Sequence, residues 1–279
     1  MKINMKRIFT GVWIALLTLT LGYILIRPLH LRWGASAVDL QRPMPGDLTG
    51  SRWTRAIIIE ATPEQIWPWL VQFGQGRGGW YSYDWLENLL GFNIHTAYEI
   101  LPEYQTTQTG TPICMSGSFC PSTVFVMEPH QWFGWQAAGE TDQPVWTFVF
   151  GLLPEGENRT RLVVRESFDP TFMPPAAVFA LEIPDAVMEL KMLDTIKARS
   201  EGNPNSGMVT VFEITLWLAA MMTSLLAGWG FLHRSGWQPL VVFMAGLVVL
   251  LLITFLFLPL WLRGMLVIGQ IAGLVWRMK

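Results

Sequence analysis

The sequence predicts an α+β domain, an antiparallel sheet wrapped around a long C-terminal helix, flanked by transmembrane helices. Three observations carry this. Charge-free apolar runs lie near both ends of the 279 residues, each long enough to cross a bilayer. Between them the apolar residues recur first at helical spacing, then with a period of two, then at helical spacing again. With 51% hydrophobic against 14% charged residues, the chain also holds more apolar side chains than one soluble core needs.

Composition excludes several classes. The formal net charge is −2 and no basic block is present, which argues against nucleic acid as a partner. Two cysteines cannot staple a disulfide-rich scaffold, and neither stands with histidines at zinc-ligand spacing, so no metal and no cofactor is implied. Fifteen tryptophans suit membrane interfaces, cores and apolar pockets alike.

The first element is the run 8–26, 19 residues without a charge, behind Lys2, Lys6 and Arg7. It is long for a signal-peptide core, and the one small-residue pattern, Ala35-Ser36-Ala37, lies beyond Arg27 and Arg32, so the expectation is an uncleaved anchor over residues 1–32. The central domain is expected over 33–207. Residues 41–55, with Pro43, Pro45, Gly46 and Gly50, form an irregular approach to it.

Residues 55–61 (RAIIIEA) are β-branched and predict a strand. Thr62-Pro63-Glu64-Gln65 then offers a cap, a first-turn proline and a capping-box glutamine, with Ile66, Leu70 and Phe73 following at helical spacing up to Gly74. Pro68 within it predicts a kink or a tight first turn. Residues 81–90 predict a second short helix, stopped by Gly91. Strands are expected over 111–115, 122–128, 132–137, 145–153 and 160–168. The last two flank a turn at 154–158, with Trp146, Phe148, Phe150 and Leu152 on one face and Leu162 and Val164 on one face of the partner. Residues 186–199 are helical, with Val187, Leu190, Leu193 and Ile196 as the apolar stripe and Pro184 limiting its backward extension. Residues 201–207 are a linker.

The C-terminal region, 208–279, holds charge-free runs at 214–232 and 237–262, a hairpin around His233-Arg234-Ser235-Gly236. In the final stretch Arg263, Gln270 and Arg277 recur every seven residues and share one helical face. Three spans plus an interfacial amphipathic helix is the preferred reading. A fourth span is the alternative, supported by Gly264, Gly269 and Gly273, which permit close helix approach. Glu213 is expected to reach interfacial water rather than to act as an intramembrane acid. The chain is thus read as a multi-pass integral membrane protein, in the plasma membrane of a prokaryote. The flanking charges of the first span balance. With three spans Lys191, Lys197, Arg199, Arg263, Arg277 and Lys279 share the domain's side, a lean toward a cytoplasmic domain that fades with four.

A strand, two short helices, antiparallel strands and a long C-terminal helix is the order of the helix-grip fold. Residues 54–95 (TRAIIIEATPEQIWPWLVQFGQGRGGWYSYDWLENLLGFNIH) resemble the opening of membrane-associated members of the SRPBCC superfamily, the START-related group of polyketide cyclase/dehydrase-like and lipid-transport proteins. The segments LVVRESF and MELKMLDTIKARSEG resemble it too. The resemblance implies an incomplete barrel around the long helix, with an apolar cavity for a lipid, isoprenoid or polyketide-like guest.

For the site, Arg77, Trp80, Tyr81 and Tyr83 are candidates for a pocket wall or lid, the aromatics giving apolar contact and Arg77 or the hydroxyls orienting a polar end. The same segment also suits a structural corner in which Asp84 caps a helix. Trp146, Phe148 and Phe150 supply an apolar wall. For catalysis the candidates are His95, near Asp84 and Glu87, and Glu166, since only one of the adjacent pair Arg165 and Glu166 can face inward. A hydrogen-bonded structural His95 is the plainer account, as is a surface Arg165 beside Arg161. Cys114 and Cys120 are equidistant from Gly117, so a cross-strand disulfide and two reduced thiols both remain open. Asn158-Arg159-Thr160 matches a glycosylation sequon.

The function expected is membrane-tethered binding or transfer of a hydrophobic small molecule, with membrane lipids as the other partner. The alternatives are a cyclase or dehydratase acting on a membrane-derived substrate, and a noncatalytic sensor or scaffold.

Overall fold

The computed structural model describes residues 4–139, 142–171, 174–203, 207–233 and 236–278, the side chains of 277 and 278 apart. Lys2, Arg234, Lys279, the Arg277 side chain and part of the 201–207 linker lie outside them. The chain divides into two compact units, one of Met1–His30 with Ser206–Lys279, the other of Leu31–Asn205.

The first unit is helical: α1 (Met5–His30), α6 (Gly207–His233), α7 (Gln238–Phe255) and α8 (Leu260–Met278). The first three are long and apolar enough to cross a membrane, and α8 contributes a shorter apolar stretch. Helix α1 packs on α7: Tyr23 meets the Phe255 ring edge-on at 5.4 Å between centroids. At the start of α1, Arg7 donates to the Phe231 carbonyl at 2.8 Å, satisfying a group left free at the end of α6.

In the second unit the order is α2 (Ala37–Gln41), β1 (Arg52–Ile59), α3 (Pro63–Val71), α4 (Asp84–Leu89), β2 (Pro112–Ile113), β3 (Ser122–Glu128), β4 (Trp132–Ala138), β5 (Pro144–Gly156), β6 (Arg159–Phe168) and α5 (Pro175–Ser200). The six strands form one antiparallel sheet in the order β1-β6-β5-β4-β3-β2, placing the first strand beside the last. Helix α5 lies on one face, and the unit is an α+β helix-grip domain.

Its core lies between that face and the helices. Ile59, Leu162, Val164, Phe148, Phe150, Phe133 and Trp135 of the sheet meet Ile66, Leu70, Leu193 and Ile196. Alternation places Ala56, Val149 and Val163 on the opposite face, where Met44 and Trp132 cover them in a smaller cluster.

The capping signals act as expected: Thr62 N–H donates to Gln65 Oε1 at 2.9 Å and α3 starts at Pro63. Three expectations change. The second short helix begins at Asp84 rather than at 81, because Tyr81 adopts φ 57°, which no helical residue takes. Helix α5 continues through Pro184 and gains about three turns at its start, so the proline does not end it. Arg165 is buried, not at the surface.

Segment 36–47, read as an irregular approach, explains Arg165. Ser36 and Asp39 form a capping box that starts α2. Arg165 donates to the Asp39 carbonyl (2.5 Å), the Arg42 carbonyl (2.7 Å) and Asp47 (3.0 Å). Arg161 forks onto Asp39 at 2.5–3.1 Å. Burial works to raise the Asp39 pKa, yet these bonds from Arg161 and Ser36 outweigh it and hold the carboxyl at about 2. Asp39→Asn should therefore cost about 1–3 kcal/mol, the loss of a charge-assisted fork, read as a lower unfolding midpoint. An unchanged midpoint would show that α2 is held by its apolar contacts alone.

Candidate functional site

The sheet face under α5 is apolar except at one end. On β1, inward positions alternate as Trp53, Arg55, Ile57 and Ile59, and on β6 as Leu162, Val164, Glu166 and Phe168. Register sets Trp53 and Phe148 on either side of Glu166. Above them α5 presents Asp185 and Glu189, four residues apart and so on one face.

These groups converge. Arg55 Nη1 donates to Asp185 Oδ2 at 2.8 Å and to Glu189 Oε2. Trp146 Nε1 donates to Glu166 Oε2 at 2.7 Å. Carboxylate oxygens of Glu166, Asp185 and Glu189 lie within 4.8 Å of one another, and the guanidinium stands 5.9 Å from the Trp53 ring centre. Arg55, Glu166 and Glu189 are 0–3% exposed, whereas Asp185 keeps a fifth of its side chain in solvent. The cluster therefore opens outward at Asp185, next to the half-buried Trp146.

Three carboxyls against one guanidinium leave a surplus of negative charge in a dry place. Burial, and then repulsion from Asp185 and Glu189, push Glu166 well above the carboxylate range. Burial raises Glu189 to about 7 despite the attraction of Arg55. Against the opposing effect of burial, Glu189 and Asp185, and then Glu166, hold Arg55 firmly charged. Glu166 Oε1 and Glu189 Oε1 are buried without a donor among the described residues. Glu166 is thus biased toward its neutral acid form, beside Glu189, a carboxyl poised to change state near neutral pH. The same three carboxylates are spaced to hold a cation, but Arg55 already donates to two of them and provides positive charge there.

Of the residues singled out from sequence, Glu166 and Trp146 are brought together. Phe148 lies flat on Trp135 at 4.7 Å, and Phe150 stacks on Phe73 at 5.3 Å, so these rings contact one another. Trp80 packs edge-on against Trp135 at 5.7 Å. Tyr81 is buried with its hydroxyl accepting from Gln72 Nε2 at 2.8 Å. Tyr83 is half-buried, with Lys191 Nζ 5.5 Å from its ring centre. Arg77 donates to the Val71 carbonyl at 2.9 Å and to Thr107 Oγ1, and lies over Tyr104. Its loop closes through paired backbone bonds between Gly74 and Gly79, and at Gly79 (φ 78°) a Cβ would overlap the 95–96 backbone.

His95 is exposed, 3.2 Å from Asn93 Oδ1. The Asp84 carboxylate accepts from Thr96 N and Oγ1 instead. Glu87 is fully buried, and burial plus the nearby Asp84 raise its pKa to about 8. Cys114 and Cys120 are joined by a disulfide across the turn at 116–119.

Sequence reasoning did not single out Arg55, Asp185 or Glu189. A signal existed: Arg55 stands at an inward position of an alternating strand, and Glu189 falls in phase with Ala186 and Leu193.

No family model and no curated protein matches the chain. Among solved structures it is similar to a conserved protein of unknown function from Enterococcus faecalis (15% identity, TM-score 0.28, covering 52% of this chain and 71% of that one). It is similar to a protein from Chromobacterium violaceum (12%, TM-score 0.31, 54% and 96%). It is also similar to a Polyketide_cyc-like protein from Corynebacterium glutamicum (16%, TM-score 0.31, 55% and 91%).

Proposed function

We propose that the Leu31–Asn205 unit, attached at both ends to apolar helices that anchor it in a bilayer, binds an apolar small molecule with a polar end. On this reading the chain is a membrane-anchored member of the SRPBCC superfamily. The observation that carries the proposal is the convergence of Arg55, Glu166, Asp185 and Glu189 inside the grip, beside Trp146. A buried polar group without a partner is costly, and a ligand hydroxyl or ammonium would donate to Glu166 Oε1 and Glu189 Oε1. The apolar part would lie along Trp146 and Phe148, displacing rings that now touch each other. Tethering favours the task, since a guest that partitions into lipid reaches a domain held at high effective concentration. The Cys114–Cys120 disulfide favours an oxidising compartment for the unit.

The test is mass spectrometry of small molecules carried by the full chain after extraction from its membrane by an amphipathic copolymer instead of detergent. An apolar species is expected with the wild type and at least tenfold less of it with the Glu166→Gln/Glu189→Gln double variant, which preserves shape. Identical extracts would overturn the reading.

One observation favours a second reading, an enzyme of cyclase or dehydratase type. Glu189 at about 7 beside Glu166, which burial biases toward its acid form, is a pairing of base and acid. Conversion of the recovered species by wild type and none by Glu189→Gln would select it over simple carriage.

A further inference from the structure

Helix α8 is amphipathic in the reverse sense to a surface helix. Among its described side chains the polar Arg263 and Gln270 point inward, each 6% exposed. Its outward face is Trp261, Met265, Ile268, Ile271 and Val275. A helix lying in the membrane plane keeps its polar face in water and its apolar face in lipid. Here Arg263 and Gln270 are shut off from water, because they pack against α6.

The contacts also fix direction. Arg263 Nη1 lies 3.3 Å from Glu213 Oε1, and Gln270 Nε2 donates at 3.0 Å to the Ala220 carbonyl and to Ser224 Oγ. From Glu213 to Ala220 and from Arg263 to Gln270 are both seven residues, two helical turns. The two helices therefore run side by side in the same direction, so α8 shares the inclination of α6. The contact at Ala220 is the midpoint of α6, Gln270 is within one residue of the midpoint of α8, and Gly246 stands at the middle of α7. A Cβ at Gly246 would overlap Ser224 Oγ and Gln270 Nε2, so the glycine makes room for this polar node between three helices. Glu213 is buried in an ion pair instead of reaching out to water.

We infer that α8 is a fourth membrane-crossing helix whose Trp261–Ile268–Val275 face contacts lipid acyl chains, so that both chain termini lie on one side of the bilayer. Its 19 residues span about 28 Å, close to the hydrocarbon thickness. Trp261 and Trp276 stand near opposite ends, where indole rings prefer the interface. The polar stripe that suggested a surface helix is the seam by which α8 joins α6, as hydrogen-bonding side chains do between helices in lipid. Ile268, midway along the outward face, then lies deepest.

The inference is tested on the full chain in phosphatidylcholine vesicles, spin-labelled singly through Trp261→Cys, Ile268→Cys or Val275→Cys. Relative accessibility to oxygen and to a water-soluble nickel chelate reads depth. Greatest depth at 268 and lesser depth at 261 and 275 is the expected result. Equal depths, or a steady gradient from 261 to 275, overturn it. Sidedness reporters on the two termini of the otherwise unaltered chain provide a second reading: the same side is expected, and opposite sides mean three crossings.

Discussion

Arg55→Met lowers the unfolding midpoint of the full chain in detergent micelles by roughly 10 °C at pH 8, and by clearly less at pH 5. The size follows from what remains: breaking a buried ion pair by removing one partner costs about 3–5 kcal/mol, equivalent to some 2–4 °C each in a domain of this size. Methionine replaces much of the volume, so the loss is electrostatic. Without the guanidinium, Glu189 and Asp185 face each other and Glu166 with no counter-charge. Lower pH protonates the carboxyls and removes most of the repulsion, which gives the pH contrast. Adding Glu189→Gln to Arg55→Met should restore part of the midpoint at pH 8. A fall below about 2 °C at pH 8 would mean that the cluster is hydrated and the site open to water.

How far this cluster could be read from sequence depends on the kind of interaction involved. The β5–β6 hairpin was legible because Trp146, Phe148, Phe150 and Leu152 alternate on one side of a turn-rich gap. The start of α3 was legible because a cap, a proline and a glutamine at fixed offsets are a local code. Glu166 could be proposed as inward from the same alternation. Its partners could not: Arg55 and Glu189 are 134 residues apart, and in a strand or helix pattern a lone charge reads as an exposed position. Arg165 was misread for the converse reason. It faces away from α5, but the five-residue helix α2 and its following loop cover it, and so short an element leaves no periodicity to detect. The turn at Tyr81 was hidden too, since a tyrosine at positive φ is imposed by its surroundings and not by its own preference.

The second large effect concerns pH, and its sign is set by Glu87. Its carboxyl is fully buried, neither oxygen has a hydrogen-bond donor among the described residues, and burial followed by Asp84 raises its pKa from 4.5 to about 8. A group whose folded pKa exceeds its unfolded value favours the folded state while protonated. That contribution is complete below about pH 4.5 and fades as pH rises through 8. Glu189, at about 7, acts with it between pH 5 and 8, and Glu166 is shifted in the same direction. Asp39 opposes them only far below this window, since its stabilising charge is lost as pH falls toward about 2. The wild-type midpoint should therefore decline from pH 5 to pH 8. Each unit of pKa displacement corresponds to about 1.4 kcal/mol, so Glu87 alone can account for several kcal/mol. Glu87→Gln, neutral at every pH and nearly the same shape, should flatten the decline and be the more stable protein at pH 8, with little difference at pH 5. Midpoints of wild type and variant measured across that range decide the matter. Parallel curves would mean that Glu87 is hydrated in solution, and that the pH dependence belongs to the Arg55 cluster alone.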